Sequence, residues 1–163
     1  MNTVTERDLG WGLFKQRVAK AQGAFVVVGV QQGTQREDPN DPSMAQVAAD
    51  NEFGTKTIPS RSFLRSTFDE TEKSMRRRVK KEYEAYTKGE QSIETAMGRV
   101  GEDFQAKVQK KIRSNVPPEN APETLARKLA KDAKGTTGAP VTLIDTGQLH
   151  RSIRYVVKVP GRG

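Results

Sequence analysis

Two apolar stripes at helical spacing constrain this chain more than any other feature. Leu64, Phe68, Met75, Val79, Tyr83 and Tyr86 stand three, four or seven positions apart, so a helix over about 62–87 carries them on one face. Lys88-Gly89 closes that helix. Ser92 then caps a second one over about 92–113, with Ile93, Met97, Val100, Phe104, Val108 and Ile112 as its stripe. The connector at 88–91 is so short that the two helices must fold back antiparallel. A stripe of methionine and aromatic residues could line a cofactor slot, but core packing explains it with fewer assumptions. Gly98 and Gly101 mark a weak or closely packed point in the second helix.

Shorter elements flank the hairpin. Residues 6–21 read as a helix, with Leu9, Leu13, Val18 and Ala21 near helical spacing, Trp11 and Phe14 beside them, and Gly23 as the stop. AFVVVGVQ at 24–31 is the clearest strand, and IRYVVKV at 153–159 is the second. Asp41-Pro42 reads as an N-cap followed by proline at the first helical position, opening a short helix over 43–51 that stops near Gly54. Val116-Pro117-Pro118 breaks the second long helix. Ala121-Pro122-Glu123 starts another, with Leu125, Leu129 and Ala126 expected to face inward. Leu143 to Gly147 leads into a helical turn through His150.

Two strands make no stable sheet alone, so weaker strands near 57–60 or 141–144 are expected to join them. The expected class is α+β. A small antiparallel or mixed sheet (strands near 24–31 and 153–159) packs against a long antiparallel helical hairpin (about 62–87 and 92–113) plus short helices. The whole reads as a single domain over 1–163, with a polar loop at 32–41 and a flexible C-terminal tail at 160–163. An unpaired sheet edge would be open to extension across a subunit boundary.

Composition narrows the chemistry. Hydrophobic residues make up 34% of the 163, a lean core, which fits either a well-solvated protein or polar surface buried against partners. Cysteine is absent, which excludes disulfides, thiolate nucleophiles and cysteine-held metals, and the one histidine, His150, excludes a multi-histidine site. The N-terminal MNTVTERDLGWGLF lacks the pattern of a secretory leader. No run approaches the ~20 apolar residues of a membrane span. The expectation is a soluble protein made in a reducing cytoplasm, with no cofactor, no metal and no membrane contact.

The net charge is +8. Its densest cluster, Arg76, Arg77, Arg78, Lys80 and Lys81, is flanked by Glu70, Glu72, Glu82 and Glu84. These five cations are candidate electrostatic contacts. A basic helix face is more often solvated, or docked on an acidic protein, than a DNA reader.

Catalytic motifs fail on context. Asp145-Thr146-Gly147 behind Leu143-Ile144 has the local form of an aspartic-protease triplet, but only sixteen residues follow it and helices dominate what precedes it. Asp145 or Thr146 capping the turn at Gly147 is the simpler reading. His150 has Ser152 and Asp145 nearby in sequence, yet no nucleophile elbow appears. No glycine-rich phosphate loop occurs. Asp38, Asn40 and Asp41 lack the glycine and terminal glutamate of a calcium loop. The chain is therefore read as not an enzyme.

Two segments carry a resemblance. The first runs from Met44-Ala45-Gln46-Val47-Ala48 through Asn51-Glu52-Phe53-Gly54-Thr55 to Ile58-Pro59-Ser60-Arg61-Ser62-Phe63-Leu64-Arg65. The second joins Thr124-Leu125-Ala126-Arg127-Lys128 to Leu143-Ile144-Asp145-Thr146-Gly147-Gln148-Leu149 and Ser152-Ile153. Together, with a long helical pair between them, they resemble the tail-completion and neck (head–tail joining) proteins of tailed bacteriophages, related to virion-morphogenesis and minor-tail proteins. Ser62 stands where such proteins commonly have proline, and Val141-Thr142 adds length before the second segment.

The resemblance implies a structural virion protein, assembled in the host bacterial cytoplasm. It would form a ring, most often a hexamer, that completes the tail end and joins it to the head connector. Implied partners are other copies of itself, the tail tube or tail terminator, the head connector and, non-specifically, genomic DNA in the channel. Candidate interface or motif residues are Glu52, Phe53, Gly54, Thr55, Pro59, Phe63, Leu64, Asp145, Thr146, Gly147 and Leu149. These same residues could equally organise the core of one subunit. The alternative reading is a basic nucleic-acid-binding accessory or minor capsid protein.

Overall fold

The expected hairpin forms the spine of the computed structural model, which describes residues 10–31, 41–132 and 141–160. Among these the chain is α+β, in the order α1 (Trp11–Ala21), β1 (Phe25–Val30), α2 (Met44–Phe53), α3 (Leu64–Lys88), α4 (Ile93–Arg113), α5 (Pro122–Asp132), α6 (Gln148–Ser152) and β2 (Ile153–Lys158). Ser92 Oγ accepts the Thr95 N–H at 3.1 Å and caps α4 as expected. Gly89 ends α3 with φ +84°. The expected polar loop at 32–41 apart from Asp41, the expected tail beyond Pro160, and Leu9 lie outside the described residues.

β1 and β2 pair antiparallel, Val26 opposite Val157 and Val30 opposite Ile153. Val26, Val28 and Val30 share the inner face with Ile153, Tyr155 and Val157. That face lies on α4. Gly101 makes this approach possible, since a Cβ there would sit 2.6 Å from the Tyr155 ring and 2.8 Å from Val26. Gly98 has ordinary room, 3.9 Å from the Tyr155 hydroxyl.

The core has two parts. Met44, Ala48, Phe63, Val108, Ile112, Val116, Leu143, Leu149 and Ile153 cluster where α2, α4 and α6 meet. Tyr86, Ile93, Ala96 and Met97 cluster at the hairpin turn, where Tyr86 also donates its hydroxyl to the Arg17 carbonyl at 2.8 Å and tethers α1.

Four expectations need correction. The buried residues of α3 are Thr67, Met75, Glu82 and Tyr86, while Phe68 and Val79 are exposed. Glu82 takes an inward place because Gln91 and Arg99 reach it across the hairpin, whereas Phe68 meets Phe104 edge-on and leaves the rest of its ring exposed. Leu125, Ala126 and Leu129 of α5 are exposed too, because that helix buries Lys128 instead. The cap of α2 is Ser43, whose hydroxyl accepts the Gln46 N–H at 3.2 Å, two residues later than Asp41. No strand forms at 57–60 or 141–144. Several N–H and C=O groups of those segments bond within a turn or to side chains instead of to a neighbouring strand.

Candidate functional site

The first resembling segment folds around one carboxylate. Gly54 ends α2 at φ +78°, and a Cβ there would lie 2.8 Å from the Ser60 backbone nitrogen, so the chain can double back only at glycine. Thr55 sets the return: its N–H donates to Ile58 O at 2.7 Å, and its hydroxyl accepts the Ile58 N–H at 3.0 Å. Arg61 N–H then donates to Asn51 O at 2.6 Å. This places the end of α2 beneath the first turn of α3, whose N–H groups have no partner inside their own helix.

Glu52 supplies that partner. Its Oε2 accepts the Phe63 N–H at 2.8 Å and the Leu64 N–H at 2.9 Å. Its Oε1 accepts the Arg65 N–H at 3.1 Å, the Ser62 hydroxyl at 2.7 Å and Arg65 Nε at 3.0 Å. Phe63, at the N-cap position, offers no side-chain cap of its own. Burial pushes the Glu52 pKa up, but the bonds from Leu64, Ser62 and Arg65 outweigh it and lower the pKa from 4.5 to about 2. Phe63 is fully buried and Leu64 half-buried. Phe53 remains 66% exposed beneath the Arg65 guanidinium, which lies 4.8 Å from its ring centre.

The second segment gathers around a cation. Lys128 Nζ donates to Val141 O at 2.7 Å and Thr142 O at 2.9 Å. Asn115, left-handed at φ +60°, accepts the Thr142 N–H at 2.9 Å. Gly147 turns into α6 at φ +75°, and Thr146 Oγ1 accepts the Gln148 N–H at 3.4 Å. The N-cap position of α6 is Gly147 itself, with no side-chain cap bond, so this long Thr146 contact on the turn stands in place of the cap expected of Asp145 or Thr146. Leu149 and Ile153 enter the core.

Between the walls lies a cleft of about 710 Å3. Met44, Val47, Asn51, Thr57, Ile58, Pro59 and Arg61 line one side; Thr124, Arg127, Lys128, Leu143, Asp145, Thr146, Gly147 and Leu149 line the other, with 118–121 between. Arg61 ties the walls together, donating Nε to Pro118 O at 2.8 Å and Nη2 to Glu119 O at 3.0 Å. Pro59, Asp145, Thr146, Gly147 and Leu149 therefore come to one place. Glu52, Phe53, Gly54, Thr55, Phe63 and Leu64 stand behind it or beside it.

The basic cluster on α3 is not part of this cleft. Three of its members are ion-paired: Arg76 with Glu72, Arg78 with buried Glu82, and Lys80 with Glu84. Arg77 and Lys81 are exposed and make no ion pair among the described residues. Glu82 is held below the usual carboxylate range by the Gln91 amide, against the opposing effect of burial, and further by Arg78 and Arg99.

Arg61, Lys128, Asn115 and Glu82 organise these features, and none stands out as a candidate from sequence alone. One signal was available for Glu82, which lies seven residues after Met75 and four before Tyr86, in step with the stripe.

Among the described residues, the catalytic pairings weighed from the sequence are not brought together. Ser152 donates its hydroxyl to Leu149 O and not to His150. Burial, then Arg113 and Arg151, push the His150 pKa down. Among the described residues the cleft offers Asp145 no second aspartate, and no group of three or more His, Asp or Glu residues is placed to hold a metal ion. Also among the described residues, no helix is long and apolar enough to cross a membrane. Searches of protein-family models, of curated proteins and of solved structures find no match to this chain.

Proposed function

We propose that this protein is a non-enzymatic structural subunit of a tailed-phage particle, acting in a ring at the head–tail junction. There it would complete the tail end and join it to the head connector. One observation carries the reading beyond the resemblance of the two segments. Although about 60 residues of hairpin and connector separate them in sequence, they line the two sides of a single cleft tied by Arg61. A signature built this way presents one surface, and a surface cleft on one side of α2 is suited to receive a neighbouring subunit, with the exposed Phe53 of the same helix available as a separate contact. Assembly into a virion would follow synthesis in the bacterial cytoplasm, and six subunits is the expected ring.

Deletion of the gene from its phage tests the reading. Full heads and separate tails should accumulate, and purified protein should restore joining when mixed with them. Normal infectious particles from the deletion would sink the proposal.

A second reading, a basic nucleic-acid-binding accessory or minor capsid protein, is favoured by the exposed Arg77 and Lys81 on α3. It requires salt-dependent affinity for duplex DNA that falls on reversing both charges. Unchanged affinity on reversal excludes it.

A further inference from the structure

The cleft holds a charge imbalance that its folding role does not account for. Arg61 is only 7% exposed. Its guanidinium carries five N–H donors, of which Nε and Nη2 serve the Pro118 and Glu119 carbonyls. Nη1 donates to nothing among the described residues, and no carboxylate lies within ion-pair distance. Neutral carbonyls offset the desolvation of a guanidinium poorly, so buried arginines ordinarily meet an anion. Both buried glutamates follow that rule: Glu52 meets Arg65, and Glu82 meets Arg78 and Arg99. Arg127, exposed on the opposite wall, adds a second cation without an ion pair among the described residues.

We infer that the cleft receives a glutamate or aspartate side chain from an extended segment of an acidic partner protein. Its carboxylate docks on Arg61, and Arg127 guides it in. The planar fork of arginine matches a carboxylate with two parallel hydrogen bonds. Val47, Ile58 and Pro59, half-buried or exposed, line the cleft with apolar surface for the flanking residues of the segment. Exposed Glu119 and Asp145, which also line it, disfavour a densely charged polyphosphate but tolerate a single carboxylate. A cleft of about 710 Å3 is large enough for a few side chains. The inference rests on reading the cleft as a receiving surface, but not on the ring or the virion.

The test uses the 15N-labelled full chain titrated with a blocked Ala-Leu-Glu-Leu-Ala peptide, its glutamine counterpart and inorganic phosphate. The glutamate peptide should shift the amides of Thr57, Arg61 and Leu149, and bind about tenfold more tightly than the glutamine peptide. Arg127→Glu, on an exposed side chain, should weaken binding about fivefold or more with the remaining spectrum unchanged. Arg61→Lys keeps the charge but loses the fork and should cost about tenfold. If that variant does not fold, Arg127→Glu decides the matter. Equal binding of the two peptides, shifts confined to other surfaces, or a response to phosphate alone each overturns the inference. Failure of the protein to form rings, read separately by sedimentation, leaves it standing.

Discussion

The two walls of the cleft are fixed by buried charges of opposite sign. In the first, backbone N–H groups converge on the Glu52 carboxylate; in the second, backbone carbonyls converge on the Lys128 ammonium. The anion has the stronger position. It caps a 25-residue helix, where the helix dipole favours negative charge, and Ser62 and Arg65 add donors to those of the backbone. The cation instead holds two successive carbonyls of one loop segment. Wall for wall, the first should be the stiffer and the more costly to break.

Glu52→Ala gives the largest effect. It leaves the Phe63 and Leu64 N–H groups without their acceptor, which should lower stability by about 2–4 kcal/mol, while the exposed Arg65 turns to solvent. Urea unfolding measures it. A loss no greater than that from removing Lys128 would reverse the ranking of the walls.

Acid should dissolve the same wall without a mutation. The Glu52 pKa is lowered from 4.5 to about 2 on folding, so its contribution is complete above about pH 4.5 and disappears as pH falls through about 2. The linked stability is about 3 kcal/mol. Glu82, also lowered, acts in the same sense. Burial, Arg113 and Arg151 hold His150 below its ordinary 6.5, so its smaller loss begins as pH drops below that value. The urea midpoint plotted against pH should therefore fall most steeply below pH 4.5, and Glu52→Gln should flatten that fall. A wild-type slope retained in Glu52→Gln would remove Glu52 as its source.

Lys128→Met probes the other wall. Loss of the ammonium takes the donor away from the Val141 and Thr142 carbonyls, at about 2 kcal/mol. Because the second wall is the softer, amide exchange should rise first at 142–149 and leave the start of α3 protected.

Local physics made the hairpin legible. Helical period and connector length are read within a few turns, so the span of α4 and its stripe follow from residues close together in sequence. What local pattern misses is compensation at a distance. A glutamate in step with an apolar stripe looks like an error until Gln91 and Arg99 fold across to meet it. Lys128 looks like the solvated side of an amphipathic helix, yet it is buried while Leu125 and Leu129 are exposed, because the carbonyls at 141–142 converge on it. The cleft shows the same division. Asn51-Glu52-Phe53-Gly54-Thr55 and Leu143-Ile144-Asp145-Thr146-Gly147 can be picked out in the sequence. The return of the chain that brings them together through Arg61 cannot, since it depends on a carbonyl pair 57 and 58 residues away.

The smallest expected effect on folding separates scaffold from contact. Phe53 is adjacent to Glu52 in sequence, but its ring is 66% exposed and touches the fold chiefly through Arg65. An exposed cation–π contact contributes about 0.5–1 kcal/mol, so Phe53→Ala should move the urea midpoint only slightly. If the proposed ring uses this side chain as an anchor, the same substitution should abolish assembly in sedimentation and electron micrographs. Loss of rings at nearly constant stability assigns Phe53 to the subunit contact. Loss of both returns it to the scaffold with Glu52, and retention of both removes it from the contact surface, leaving the cleft itself to carry assembly.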